Sequence, residues 1–127
     1  MIPYIAMTEG IEVTVRPVYL DDRSDLLNRR FVFGYFVRIE NQGDQEVQLL
    51  RRHWLIRDAT GRVQEVQGDG VVGVQPVIAP GGVHEYSSYC ILTTFEGNME
   101  GNYLMQRPNG SRFRATIPRF NLRAASN

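Results

Sequence analysis

The 127-residue sequence contains no lysine, a single cysteine and two histidines, and its 14 arginines are balanced by 14 acidic residues. Without lysine, the chain lacks both the amine that forms Schiff bases and the lysine of a phosphate-binding P-loop. With no net charge, it lacks the excess of positive charge that general binding to nucleic acid or acidic membranes requires. We therefore expect neither nucleic acid nor a membrane among its partners.

The scarcity of cysteine and of long apolar runs bears on the cellular compartment. Cys90 has no second cysteine with which to form an internal disulfide. The N-terminal residues carry no basic region before their short apolar stretch, and no apolar run approaches the roughly 18 residues that cross a bilayer. These features predict a cytoplasmic protein. The length predicts one domain over residues 1–127 that folds without metal or disulfide.

What the sequence does contain is a series of short alternating or apolar runs separated by turn residues, with no sustained helical period. Seven of these runs are predicted to be strands, at residues 11–15, 31–39, 47–58, 62–66, 83–92, 102–106 and 113–117. Strands at this spacing predict an all-β fold, namely a seven- to eight-stranded antiparallel β-sandwich of the fibronectin type III or immunoglobulin kind. A β-barrel is the main alternative.

Two runs predict burial in more detail. In the run 31–39, one face carries a continuous apolar set, and Val32 with Phe36 on the other face predicts a central strand covered on both sides. The apolar set is Phe31, Phe33, Tyr35, Val37 and Ile39. In the run 47–58, strict alternation places Leu50 on the same face as Trp54 and Ile56, and we expect Trp54 to lie in the core.

Residues 68–73 read Gly-Asp-Gly-Val-Val-Gly, the glycine spacing that elsewhere cradles a dinucleotide pyrophosphate. That motif needs a helix directly after it, whereas Pro76, Pro80 and a Gly pair follow here and rule out a helix. Two interpretations remain. Either the glycines aim backbone N–H groups into a nest that binds an anion, or they let a connection cross the end of the sandwich. In the second interpretation apolar gaps are filled by Val71, Val72 and Val74.

Charged residues near this segment complete the candidate site. Asp69 repels phosphate unless an arginine or a cation intervenes, and three arginines of the preceding strand are candidates for that role. The same arginines also fit a solvated strand face. The candidate ligand-binding residues are therefore Gly68, Asp69, Gly70, Gly73, Arg51, Arg52 and Arg57.

Residues suited to metal binding are sparse. Neither His53 nor His84 has a second histidine or cysteine at a spacing typical of transition-metal sites. A hard-ion site built from Asp69, Glu65 and backbone carbonyls is the weakest alternative. We expect neither a metal site nor a cofactor.

Residues suited to catalysis are equally few. His84 and Ser88 on one strand would lie about 13 Å apart at roughly 3.3 Å per residue, too far for a hydrogen bond. Cys90 fits a small buried apolar side chain better than a nucleophile. We expect no catalytic residue and no enzyme, although a base on another strand, such as His53, stays open.

Four groups of residues follow one another in a specific order and at specific separations. They are Arg52-His53-Trp54; the run 68–76; the spaced set Gly97, Met99, Gly101 and Tyr103; and the terminal set Phe113, Ile117-Pro118, Phe120 and Leu122. Together they closely resemble the ApaG family over about residues 8–122. The resemblance implies a fibronectin type III-like sandwich with its core at about 8–122 and short flexible termini.

The resemblance also implies a functional setting. Family members occur as stand-alone bacterial proteins associated with cobalt and magnesium resistance or efflux, and related domains in larger eukaryotic proteins look like protein-binding parts. No catalytic residues are established for the family, so none is transferred to this chain. Because the chain has no membrane span, an association with efflux would be indirect.

The leading functional hypothesis is a non-catalytic binding module that contacts a protein partner through loops or an exposed sheet face. Strand edges of a sandwich would also allow two copies to pair as a homodimer. The alternative is a small-molecule module that binds an anion such as a nucleotide or pyrophosphate, with or without Mg²⁺, at residues 68–73. Hydrolysis of such nucleotides is the least supported hypothesis, because no general base and no metal cluster is recognisable.

Overall fold

The computed structural model describes residues 3–125, which form nine β-strands and one turn of 3-10 helix at Asp21–Arg23. The strands are β1 (Tyr4–Thr8), β2 (Ile11–Tyr19), β3 (Phe31–Asn41), β4 (Val47–Asp58), β5 (Val63–Asp69), β6 (Val77–Ile78), β7 (Val83–Leu92), β8 (Glu96–Gln106) and β9 (Arg112–Arg123). Within residues 3–125, no helix has the length and apolar character needed to cross a membrane.

The strands form two antiparallel sheets that pack face to face. One sheet has the order β1-β2-β3-β7, and the other has the order β5-β4-β8-β9 with β6 added beside β4. The side chains between the sheets form one continuous apolar core. The prediction of an all-β antiparallel sandwich is confirmed.

Two strands, β1 and β6, were not predicted. β6 has only two residues, and in β1 the exposed positions are the apolar Ile5 and Met7, so neither sequence shows the alternation of apolar and polar residues that marks a half-buried strand. β1 lies within the N-terminal part expected to be flexible, and β9 ends at Arg123, one residue beyond the expected core. β8 begins six residues earlier than expected, at Glu96. The ends 1–2 and 126–127, also expected to be flexible, lie outside the described residues.

The inner face of β3 is buried as predicted, but its outer face is not covered throughout. β3 is central in the sense that it pairs with β2 on one side and β7 on the other. Val32 is buried, whereas Phe36 is 55% exposed. The prediction of cover on both faces was therefore wrong at Phe36, because no second layer packs on the outer side of this sheet at that position.

A β-bulge in β4 changes which residues face the core. The pairing of β4 with β8 shifts between Leu49 and Arg51, so the residue between them is extra. As a result, Leu49 faces the core together with Trp54 and Ile56, and Leu50 is only partly buried. The prediction that Leu50 shares the face of Trp54 was wrong, because a bulge reverses the alternation and leaves no clear mark in the sequence.

Two glycines of β8 lie where that strand passes close to the backbone of β4. A Cβ on Gly97 would overlap the carbonyl oxygen of Arg57, and one on Gly101 would overlap that of His53. The other two members of the spaced set are fully buried core residues, Met99 and Tyr103. The set therefore reflects how closely β8 packs against β4.

The two sheets are closed along one side only. There, β1 and β2 of one sheet contact β9 of the other. On the opposite side, β7 is the last strand of one sheet and β5 is the last strand of the other, and neither is hydrogen-bonded to the other. We call the gap between β5 and β7 the inter-edge groove.

The close approach of β8 to β4 predicts that Gly101→Ala lowers the free energy of unfolding by about 3 kcal/mol, because the added methyl forces two paired backbones apart. Urea unfolding measures this change. The matched control is Gly61→Ala, where φ is +87° but no atom lies within 4 Å of the added Cβ, so only backbone strain of about 1 kcal/mol is expected. Equal unfolding midpoints for the two variants would contradict the packing argument.

Candidate functional site

Residues 68–73 form the end of β5 and a tight hairpin turn. Val71 and Val74 exchange two backbone hydrogen bonds, with N···O distances of 2.8 and 3.1 Å. Between them, φ is +46° at Val72 and +80° at Gly73. Positive φ at both central residues is typical of a type I′ turn, the two-residue connection that matches the twist of paired strands.

Three amides at or beside the glycine segment are already engaged in backbone hydrogen bonds. Gly70 N donates to the carbonyl oxygen of Leu50 at 2.8 Å, and the amides of Val71 and Val74 close the turn. These three N–H groups therefore do not converge on a common concavity, and the anion interpretation of residues 68–73 draws no support from them.

The three valines of this segment differ in burial. Val71 is buried in the core, whereas Val72 is 66% exposed and Val74 is also exposed. The expectation that all three fill apolar gaps holds only for Val71. A β-branched residue at positive φ, such as Val72, is a rare conformation that persists only where the surroundings impose it, and such residues are often found at functional sites.

Arg51 and Arg52 reach the turn, and Arg57 does not, because it pairs with Glu100 on β8. Arg51 Nη1 donates to Oδ1 of Asp69 at 2.6 Å. Arg52 Nη1 donates to the backbone carbonyl oxygens of Asp69 and of the following residue, at 3.0 and 3.1 Å. Arg51 thus neutralises the Asp69 carboxylate, and Arg52 has no carboxylate partner among the described residues.

Two glycines are required here by close approaches. At Gly70, φ is +61° and a Cβ would overlap the carbonyl oxygen of Val74. At Gly68, a Cβ would lie 2.8 to 2.9 Å from the central carbon and both terminal nitrogens of the Arg52 guanidinium, so the guanidinium rests face-on over this residue. At Gly73 nothing lies within 4 Å, so the turn geometry alone favours glycine.

Beside the turn, the inter-edge groove widens into a cavity of about 310 Å³ that is walled by both sheets. Tyr35, Trp54 and Tyr86 form much of its aromatic lining, and Arg52 and Ser88 contribute polar groups. We call it the Arg52 cavity. The register of β3 with β7 places Tyr35 opposite Ser88, and the packing of the two sheets brings Tyr35 against Trp54 of β4.

A second cavity, of about 300 Å³, continues the groove. It shares Ile56 with the first and extends past Arg62 to Thr93, and we call it the Arg62 cavity. Together the two cavities border the chain from Tyr86 in β7 to Thr93, one residue past the end of that strand, a length of about 23 Å at roughly 3.3 Å per residue. The groove therefore has the length of an extended segment of about seven residues.

Three tyrosine hydroxyl groups lie close to Arg52. Those of Tyr86 and Tyr103 hydrogen-bond to each other. Burial raises the pKa of Tyr35, Tyr86 and Tyr103, and the positive charge of Arg52 opposes this increase in all three. The phenols therefore stay neutral at physiological pH. Neutral hydroxyls beside a guanidinium, partly removed from water, suit a negatively charged group.

The histidine that the sequence left open as a base lies away from the cavity. His53 Nε2 is 2.9 Å from Oε2 of Glu65, and this hydrogen bond lowers the pKa of the Glu65 carboxyl. Alternation along β4 places His53 on the face opposite to Trp54, so the strand separates it from Cys90. Between residues 3 and 125, no three His, Cys, Asp or Glu side chains are grouped as they would be to hold a metal ion.

Of the residues that line the Arg52 cavity, the sequence named Arg52 as a candidate ligand-binding residue and placed Trp54 in the core, but it did not single out Tyr35, Tyr86 or Ser88 for binding. Each of the missed residues belongs to a run that was predicted as a strand, and each occupies a position that alternation turns inward. The available signal was a side-chain hydroxyl at an inward-facing strand position, because a polar group buried between two sheets needs a hydrogen-bond partner.

Cys90 provides a test of the groove's interior. Burial raises the pKa of its thiol to about 12, so at pH 8 only about one molecule in 10⁴ carries the thiolate that reacts with alkylating agents. We expect native protein at pH 8 to resist iodoacetamide during a time in which urea-unfolded protein is fully alkylated, as read by intact mass. Similar rates in the native and unfolded states would contradict the buried placement.

The strained turn yields a second prediction. Val72→Asn gives the Asn-Gly pair that type I′ turns prefer and should raise the free energy of unfolding by about 1 kcal/mol, measured by urea unfolding. The matched control is Val74→Asn, an exposed position of the same hairpin whose φ is not positive, where no gain is expected. A gain of equal size at both positions would show that the added polar side chain, rather than relief of strain, is the cause.

Comparison with known proteins places the chain among close relatives. A family model described as the ApaG domain matches residues 21–107. Protein ApaG of Paramagnetospirillum magneticum is 55% identical over 119 residues, which cover 94% of this chain and 92% of that protein. The crystal structure of the putative ApaA protein from Bordetella pertussis matches with a TM-score of 0.87 and 45% identity, over 89% of this chain and 92% of that one.

A more distant likeness concerns the fold alone. The C-terminal domain of wzt has a TM-score of 0.58 at 7% identity and covers 98% of this chain and 79% of that one. The family model spans well over half of the sequence, and the relatives align with nearly all of it. The chain belongs to the ApaG family.

Proposed function

We propose that this member of the ApaG family is a non-catalytic binding module that holds an extended segment of a protein partner in the inter-edge groove, paired with β7. The observation that carries the proposal is the free outer edge of β7, a strand of ten residues that borders the groove. A free strand edge offers backbone N–H and C=O groups to an added strand.

The hydrogen-bond alternation identifies which groups of β7 can pair with a partner. Asn41 N donates to the carbonyl oxygen of Gly82 at 3.0 Å. In the register of β3 with β7, the even-numbered residues of β7 therefore direct their N–H and C=O groups toward β3. The odd-numbered residues therefore direct their N–H and C=O groups away from β3, toward the free edge. The residues of this set are Val83, Glu85, Ser87, Tyr89 and Ile91.

Exposed apolar side chains flank the same groove. Tyr89, 62% exposed, and Ile91 lie on the β7 side, and Val63 and Val72 lie on the β5 side. Free edges in natural proteins are usually protected by lysine, proline or a bulge, and β7 has none of these. An unprotected edge beside exposed apolar residues is typical of an interaction surface.

The proposed lack of catalysis is supported by the placement of Cys90 and His53. A protonated Cys90 and a His53 on the opposite face of β4 offer no nucleophile and base in one place, which supports a non-catalytic role. The association with cobalt and magnesium resistance would then act through the partner protein. A cytoplasmic location would keep Cys90 reduced.

The nucleotide or pyrophosphate hypothesis for residues 68–73 stays a prediction that we rank second. The amides of Gly70, Val71 and Val74 are already hydrogen-bonded within the protein, and Arg51 is already paired with Asp69. Partner binding through β7 uses neither of these groups.

Site-specific photocrosslinking tests the proposal. A photoreactive phenylalanine replaces Tyr89 beside the groove or, as control, Ile5, an exposed apolar residue of β1 at the opposite edge of the same sheet. We expect a discrete adduct in cells from position 89 and none from position 5. Mass spectrometry then identifies the crosslinked partner segment, which is synthesised and titrated against the purified protein.

The substitution Ser87→Pro supplies the decisive control. It removes an outward N–H from an edge strand, where proline is tolerated, so the fold should persist while affinity for the segment falls at least tenfold. Unchanged affinity would exclude pairing along β7. A crosslinked adduct made of two copies of this chain would assign the edge to a homodimer instead, and adducts of equal yield from both positions would reject the groove as a specific site.

A further inference from the structure

We infer that the partner segment carries an acidic side chain, Asp or Glu, which enters the Arg52 cavity and pairs with the Arg52 guanidinium, with an apolar side chain two positions away along the segment. The inference rests on the proposed function, since it specifies the chemistry of the segment that lies along β7. The recognised group is therefore the carboxylate of an Asp or Glu side chain within the partner segment.

The first argument is the unbalanced charge of Arg52. Its Nη1 donates to two backbone carbonyls, and no carboxylate in residues 3–125 is within ion-pair distance of it. The nearby Asp69 carboxylate is occupied by Arg51 at 2.6 Å. A half-buried guanidinium that keeps Nε and Nη2 available matches the two oxygens of a carboxylate.

The second argument is the lining of the cavity around that charge. The phenols of Tyr35 and Tyr86 are neutral at physiological pH, since burial raises their pKa further above its ordinary value, and the Ser88 hydroxyl hydrogen-bonds with Tyr35. These groups can donate to an incoming anion without repelling it. Among the residues that line the Arg52 cavity, Arg52 alone is charged, so the cavity selects against a basic side chain.

The third argument is the geometry of strand addition. In a segment paired with β7, alternate side chains point inward between the sheets, as the even-numbered residues of β7 do. An inward side chain level with Ser88 meets Arg52, and the inward side chain two positions along meets Ile56, Cys90 and Met99. The cavity therefore selects a pair of residues at spacing two, one acidic and one apolar.

Selection from a displayed library of random heptapeptides tests the inference even while the partner protein is unidentified. We expect wild-type protein to enrich peptides with Asp or Glu at one aligned position and an apolar residue two positions away. The variant Arg52→Gln should lose the acidic preference. Arg51→Gln, which removes a neighbouring charge that pairs outside the cavity, should keep it.

The outcomes separate this inference from the proposed function. No enrichment by wild type over Ser87→Pro would reject strand addition and the inference with it. Enrichment without an acidic position would reject the inference and leave strand addition supported. An acidic preference that survives Arg52→Gln, with the fold confirmed by amide spectra, would also reject the inference.

A second measurement needs no change to the protein. The most enriched peptide is compared with its counterpart in which the acid is replaced by the corresponding amide, by titration calorimetry. We expect the amide peptide to bind wild type about tenfold or more weakly, and both peptides to bind Arg52→Gln equally within about twofold. Gly68→Ala, which displaces the guanidinium while keeping its charge, should also weaken the acidic peptide. Equal affinities of the two peptides for wild type would overturn the inference.

Discussion

The contact between Trp54 and Tyr35 joins the two sheets and sets the inner limit of the groove. Their ring centroids are 5.3 Å apart, and Trp54 also packs against Phe120 at 6.0 Å and Tyr103 at 6.5 Å. Aromatic pairs at these distances contribute about 0.5–1.5 kcal/mol each beyond the burial of area. The core therefore continues up to the indole, and the space beyond it, toward the edges of β5 and β7, is the Arg52 cavity.

The closed side of the sandwich shows what the open side lacks. Where β1 and β2 meet β9, strand edges and apolar side chains cover one another. Along β5 and β7 both edges stay free, and the apolar residues Val63, Val72 and Tyr89 remain exposed. An added strand would cover the apolar residues on this side as β1, β2 and β9 cover one another on the other, and it would also pair with the free edge of β7. The exposure is therefore a consequence of the topology.

Alternation in the sequence predicted most of the fold, because a period of two reports directly on one buried face. It failed at Leu50, where a bulge reverses the alternation, and at Phe36, whose apolar side chain faces solvent. It also missed β1 and β6, since weak alternation or two residues carry little signal. These errors are local, and none changes the fold class.

The candidate site was less predictable for a different physical reason. Its charged member, Arg52, was named as a candidate together with Arg51 and Arg57, because all three lie on the strand that precedes the glycine segment and could offset the charge of Asp69. Tyr35 and Tyr86 lie on strands far apart in the chain and join the site only through the register of β3 with β7 and the gap that two free edges leave. No local pattern records a gap between sheets. What local sequence did show was the spacing of the glycines, without their purpose.

The structural role of these glycines is clearest in their contacts with Arg52. In a nucleotide-binding motif, glycine amides attract the negative charge of a phosphate. Here the polarity is reversed, because the carbonyl oxygens of Asp69 and Gly70 hold a positive charge, and Gly68 leaves room for the face of the guanidinium. Gly70 is fixed in turn by its own positive φ against Val74. These contacts involve one nitrogen and one face of the guanidinium, so Nε and Nη2 keep no hydrogen-bond partner among the described residues, and Arg52 lines the cavity. The glycine segment thus serves to position an arginine, and the arginine carries the charge that a ligand would meet.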